Sequence, residues 1–67
     1  MNFNGEELML MMLYNSGTRL GLMQELRLMQ CYLMHDEIAL RELSEGVIEK
    51  LKLMTDAQFA EVEFPMN

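Results

Sequence analysis

The sequence predicts an all-α protein, a compact antiparallel three-helix bundle with a short fourth C-terminal helix. Apolar residues recur at intervals of three and four along most of the 67-residue chain, which is the periodicity of an amphipathic helix. Helix start signals precede the apolar stretches, and short connections between helices are typical of antiparallel neighbours. The chain is predicted to be one domain, with four helices: residues 5–15, 18–33, 36–54 and 56–62.

The first predicted helix is the most apolar part of the chain. Residues 8–14 form the unbroken run Leu-Met-Leu-Met-Met-Leu-Tyr, and at about 100° per residue such a helix is apolar on every side. Asn4 and Glu7 have the spacing of a capping box, and Phe3 is placed to pack on Leu8. Because a chain this short buries only about 60% of its unfolded surface, the run is either wrapped by the other helices or partly left for a partner.

The second predicted helix follows a break at Ser16 and Gly17. Gly17 suits the left-handed conformation that ends a helix, and Thr18 suits the cap of the next one. Apolar residues at intervals of four, three and four predict its core stripe: Leu22, Leu26, Met29 and Leu33. The polar residues between them are predicted to face water or a partner: Gln24, Glu25, Arg27 and Gln30.

The third predicted helix is capped by Asp36, with Glu37 in its first turn. Its core stripe follows three-four-four-three spacing: Leu40, Leu43, Val47, Leu51 and Met54. Gly46 interrupts this helix at a cost of about 1 kcal/mol relative to alanine, so it is either a close-packing contact or a weak point. Thr55 and Gln58 predict a second capping box that starts the fourth helix. Residues 64–67 are predicted to form a frayed end.

The charge and the cysteine count exclude several classes of protein. Eleven acidic and five basic residues give a formal net charge of −6, which repels phosphate backbones and anionic lipids. A single cysteine, Cys31, excludes an intramolecular disulfide. The acidic start is unlike a secretory signal, and the apolar run is shorter than the roughly 20 residues of a membrane span. We therefore expect a soluble cytoplasmic protein that does not contact a membrane.

The sequence predicts no catalytic, cofactor or metal site. Cys31 and His35 are four residues apart, with Asp36 adjacent, but one cysteine and one histidine fall short of the usual ligand set of zinc. The many carboxylates are typical of solvated helix surfaces, and the four glycines match no nucleotide-binding spacing. We therefore expect a protein that is not an enzyme and needs no cofactor.

A function is expected on the apolar surface. The chain has nine methionines, and methionine fills irregular cores but also suits adaptable binding surfaces. Five residues of the first two helices are predicted to contact a partner protein: Met9, Met12, Arg19, Met23 and Arg27. One alternative is a homodimer formed through the same patch. The other is DNA binding through four basic residues, although the net charge makes nucleic acid an unfavourable partner: Arg19, Arg27, Lys50 and Lys52.

Residues 7–22, ELMLMMLYNSGTRLGL, together with residues 50–59, KLKLMTDAQF, resemble the transposon-transfer assisting proteins. These are small proteins found largely in Firmicutes on conjugative transposons, and the likeness covers essentially the whole chain. Its most specific parts are the Leu/Met-Tyr run leading into residues 16–19 and the turn at residues 53–56. The resemblance implies an accessory role that assists or regulates transfer of a mobile element from inside the cell. It also implies a protein partner encoded by that element, and it brings no catalytic or ligand residues.

Overall fold

The computed structural model describes residues 3–64 and confirms the all-α prediction. Within those residues there is no strand, and four helices follow one another: α1 (Gly5–Tyr14), α2 (Arg19–Gln30), α3 (Ile38–Leu53) and α4 (Asp56–Ala60). Each of α1, α2 and α3 packs against the other two. The antiparallel order of the predicted bundle stays a prediction. Residues 65–67 of the predicted frayed end lie outside the described part of the chain.

Capping boxes set the starts of α1 and α4. The Asn4 side chain accepts a hydrogen bond from the Glu7 backbone N–H at 2.8 Å, and the Glu7 carboxylate accepts from the Asn4 N–H at 2.9 Å. Thr55 and Gln58 form the same reciprocal pair at the start of α4. Both predicted boxes are confirmed, and each one satisfies backbone donors that a helix start leaves without a partner.

The junction between α1 and α2 depends on two glycines. Gly17 has a φ of +97°, which confirms the predicted left-handed conformation and favours glycine. Thr18 caps α2 as predicted, because its hydroxyl accepts from the Gly21 N–H at 3.0 Å. A Cβ atom at Gly21 would lie 2.7 Å from that hydroxyl and would overlap the hydroxyl of Ser16. Gly17 is therefore required by its backbone conformation, and a side chain at Gly21 would force the hydroxyls of Ser16 and Thr18 to move, which would disturb the cap of α2.

The core is one apolar cluster that joins α1, α2 and α3. Its buried hydrophobic residues are Leu10, Met11, Leu22, Leu26, Val47, Ile48, Leu51 and Met54. The predicted stripes of α2 and α3 therefore supply most of the core. Their outer members Met29, Leu40 and Leu43 are half-buried at its edge. Ile48 is buried although it lies outside the predicted stripe, so the buried face of α3 is wider than the spacing indicated.

α2 and α4 end two or three residues earlier than predicted, and α1 and α3 end one residue earlier. α2 ends at Gln30 rather than at residue 33, because the N–H groups of residues 31–33 donate to carbonyls three residues back. α4 ends at Ala60 rather than at residue 62, since the N–H groups of residues 61 and 62 also donate three residues back. Such tightened turns are common where a helix ends.

The start of α3 also differs from the prediction, and the predicted cap at Asp36 is wrong. Asp36 lies in the turn before the helix, and Glu37 occupies the cap position without a side-chain cap bond. The Glu37 carboxylate instead accepts a hydrogen bond from the Met34 N–H at 3.4 Å. α3 therefore begins at Ile38, two residues after the predicted start.

Gly46 is a weak point of α3 and not a required close contact. The nearest atom of another element to a Cβ built at Gly46 is Glu7 Oε2, at an ordinary contact distance of 3.4 Å. We expect Gly46→Ala to stabilise the protein by about 1 kcal/mol, because alanine is the better helix former by that amount. Urea unfolding followed by circular dichroism measures the change. Gly21→Ala is the control and should destabilise, and a lower midpoint for Gly46→Ala would contradict the interpretation.

Candidate interaction surface

The outer side of α1 is apolar and exposed to solvent. Met9, Met12 and Leu13 are 56%, 38% and 77% exposed, whereas the intervening Leu10 and Met11 are buried. Residues at positions i, i+3 and i+4 lie on one side of a helix. The three exposed side chains therefore form one surface, which we call the α1 face. Leu13 was not among the predicted partner residues, although its spacing from Met9 indicates the same side.

The two charged residues of α1 are both acidic, and they have different surroundings. Glu6 is exposed and lies three residues before Met9, so it borders the α1 face. Glu7 is buried and accepts a hydrogen bond from Lys50 Nζ at 2.6 Å. The Lys50 ammonium also lies 5.5 Å from the centre of the Phe3 ring. Glu7 therefore links α1 to α3, and Glu6 gives the border of the α1 face a negative charge.

Arg19, predicted to contact a partner, makes its contacts within the chain. Its Nε donates to Asp56 Oδ1 at 2.8 Å, and its Nη1 donates to the Leu51 carbonyl at 2.8 Å. The same Nη1 lies 3.8 Å from the sulfur of Met23. Arg19 therefore ties the start of α4 to α2 and α3.

The other predicted partner residues of α2 differ in their exposure. Met23 is half-buried and packs against the core, whereas Arg27, one turn later, is exposed. Of the five predicted residues, Met9 and Met12 share the α1 face, and Arg27 is the exposed member on α2. That these side chains bind a partner stays a prediction.

Most of the basic residues proposed for DNA binding have carboxylate partners within the chain. Arg19, Lys50 and Lys52 form ion pairs with Asp56, Glu7 and Glu49. Phosphate contacts depend on cations that can replace the counterions of the nucleic acid. Among the four candidates, only Arg27 has no ion pair within residues 3–64. The contacts thus give the DNA-binding alternative less support than the sequence did.

The residues considered for a metal site are separated by the end of α2. Cys31 is exposed at that end and donates its thiol to the Arg27 carbonyl at 3.4 Å, while His35 lies in the turn that follows. Within the part of the chain that the structure describes, no three His, Cys, Asp or Glu side chains are grouped so that they could hold a metal ion.

Among the helices of residues 3–64, none has both the length and the apolar character that a membrane span requires.

The contacts of Arg19 predict that it holds α4 in place. We expect Arg19→Met to speed hydrogen exchange of the α4 amides about threefold, because the bridge that runs from Asp56 of α4 through Arg19 to the Leu51 carbonyl of α3 is lost. Hydrogen exchange measured by NMR tests this, with Arg27→Met as the matched control. Equal exchange rates in the two variants would show that Arg19 does not anchor α4.

The fold and its exposed surface define a small acidic all-α protein with an uncovered apolar helix face. The chain belongs to the TTRAP family: the family model described as "Putative transposon-transfer assisting protein" matches residues 3–65. The resemblance found in the sequence is therefore confirmed over nearly the whole chain. The name of the family suggests a role in assisting transposon transfer. No curated protein and no solved structure matches the chain.

Proposed function

We propose that the protein is a non-enzymatic accessory factor of conjugative-transposon transfer that binds another protein through the α1 face. Membership of the TTRAP family supports the role in transfer. The exposure of Met9, Met12 and Leu13 supports binding as the mode of action, since grouped apolar side chains on a surface mark interaction sites. This exposure is the observation that carries the proposal.

The chemistry of the α1 face indicates what kind of contact it makes. The thioether side chains of Met9 and Met12 are flexible and adapt to the shape of a partner. Glu6, at the border of the face, favours a partner that places a basic residue beside its apolar contact. The partner is a protein encoded by the mobile element. The contact takes place in the cytoplasm, where the exposed thiol of Cys31 stays reduced.

The test is a double substitution on the α1 face, Met9→Glu with Met12→Glu, in a donor strain that lacks the native copy. Transfer frequency should fall at least tenfold, because two charges replace the apolar centre of the contact. The unfolding free energy should fall by no more than about 1 kcal/mol, since Met9 and Met12 are 56% and 38% exposed and lose only part of their packing. Transfer at the native frequency by this folded variant would overturn the proposal.

The matched control makes the same chemical change elsewhere on the surface. Leu28→Glu with Ile38→Glu also replaces two exposed apolar residues, and transfer should stay at the native level. An equal fall in both double variants would show that added charge, and not the α1 face, is responsible.

Two further measurements separate the alternatives. DNA binding at about 50 mM salt, lost in Arg27→Gln, would contradict the proposal in favour of a DNA contact. A sedimentation mass that rises with concentration in the native protein, but not in the Met9/Met12 variant, would favour a homodimer.

A further inference from the structure

A groove of about 720 Å³ lies between the start of α1 and the region of α4. Its size falls in the range of about 300–1,000 Å³ that is usual for ligand sites in proteins. The residues that matter for its chemistry come from three parts of the chain: Phe3, Leu8, Leu53, Glu61, Val62 and Glu63. None of them belongs to the α1 face, so this groove is a separate surface.

The wall of the groove at the start of α1 is held in place. On one side, the capping box of Asn4 and Glu7 fixes the start of α1, and the Lys50 ammonium lies over the Phe3 ring. On the other side, Glu61, Val62 and Glu63 follow the end of α4, whose first residue, Asp56, binds Arg19. The wall at the start of α1 is therefore preformed, and a preformed surface spends little binding free energy on ordering its own residues.

The lining combines uncovered apolar surface with acidic residues. Leu53 is 73% exposed at the end of α3, although Met54 next to it is buried. Phe3 and Val62 are half-buried and pack against the core, so they present part of their surface. Glu61 and Glu63 are exposed, and neither forms an ion pair within residues 3–64.

We infer that this groove docks a segment of a partner protein in which a bulky apolar side chain is flanked by lysine or arginine. The apolar wall around Leu53 would bury the bulky side chain, which removes its surface and that of Leu53 from water. The carboxylates of Glu61 and Glu63 would attract the flanking cations, and the net charge of −6 acts in the same direction. A helix laid into an apolar groove is a common way of recognising such a segment.

The probe is a fluorescein-labelled synthetic peptide of leucine and lysine, patterned as an amphipathic helix. Its binding to the full chain is followed by fluorescence anisotropy at about 0.15 M salt, where the attraction between distant charges is screened. Glu61→Gln with Glu63→Gln should weaken binding about fivefold through the lost charge pairs. Leu53→Ser should weaken it about tenfold through the lost apolar contact.

The controls repeat each change away from the groove. Glu42→Gln with Glu45→Gln removes the same charge from α3, and Leu28→Ser removes an exposed leucine from α2. Both should leave the affinity for the probe within about twofold of the native value. Equal weakening by the two glutamine pairs would mean that net charge alone binds the probe, which would overturn the inference.

Two other outcomes would also overturn the inference, and each points to a different occupant or site. Loss of binding in Met9→Gln with Met12→Gln, but not in Leu53→Ser, would place the probe on the α1 face and leave the proposed function standing. A native mass that rises with concentration, and does not rise in Leu53→Ser, would assign the groove to a second copy of the chain.

Discussion

Replacing Met11 with alanine is expected to cost about 3 kcal/mol of unfolding free energy, whereas the same change at Met9 should alter it by less than about 0.5 kcal/mol. Met11 is 0% exposed and Met9 is 56% exposed. Both changes remove the same atoms from the same helix, and both introduce the residue with the highest helix propensity. The expected difference therefore comes from burial alone, through the lost contacts and the cavity left in the core.

The consequence for Met11→Ala is severe because the chain is small. Domains of this size rarely gain more than about 3–5 kcal/mol from their core, so this variant should be largely unfolded at room temperature. Urea unfolding monitored by far-ultraviolet circular dichroism compares the two variants with the native protein. Equal midpoints for Met9→Ala and Met11→Ala would show that α1 does not have one buried and one exposed side.

This pair of variants also shows where the sequence stops being informative. The run from residue 8 to residue 14 is apolar at every position, so its periodicity cannot identify the buried side. That side depends on how α2 and α3 pack around α1, which is a non-local property. The capping boxes at Asn4 and Thr55 were predictable because each one joins residues that are three positions apart.

The contacts that join the helices were not predictable for the same reason. Glu7 meets Lys50 across 43 positions, and Arg19 meets Asp56 across 37. Arg19 and Lys50 were predicted to make surface contacts from their residue type alone, because cations are usually exposed. No local signal distinguishes an arginine that binds a partner from one that anchors a neighbouring helix.

A buried polar contact between α2 and α3 was also not predicted from the sequence. Ser44 is fully buried, accepts a hydrogen bond from the Gln30 side chain at 2.8 Å and donates to the Arg41 carbonyl at 2.9 Å. Gln30 was predicted to face water or a partner, but it is half-buried and its side-chain amide donates to Ser44. The neighbouring Val47 and Ile48 are both buried, and a small hydroxyl residue one turn before them fits the same face once its hydrogen bonds are satisfied.

Replacing Lys50 with methionine is expected to cost about 2 kcal/mol, because it leaves the Glu7 carboxylate in the interior without its cation. The Glu7 side chain is 6% exposed, and that of Lys50 is 31% exposed. This partial exposure of Lys50 puts the expected loss below that of a fully buried pair. Lys52→Met makes the same change two residues away, where the pair with Glu49 is exposed on both sides, and should cost less than about 0.5 kcal/mol.

A second change, at Glu7, separates the two possible causes of the stability loss in Lys50→Met. Glu7→Gln removes the charge but keeps a side-chain oxygen that can complete the capping box with Asn4, since glutamine serves as well at that position. If the stranded carboxylate causes the loss, the double variant should recover about 1 kcal/mol relative to Lys50→Met. If lost packing over the Phe3 ring causes it, the two single losses should add. Urea unfolding of the native protein, Lys50→Met, Glu7→Gln and the double variant decides whether the loss comes from the buried charge or from packing.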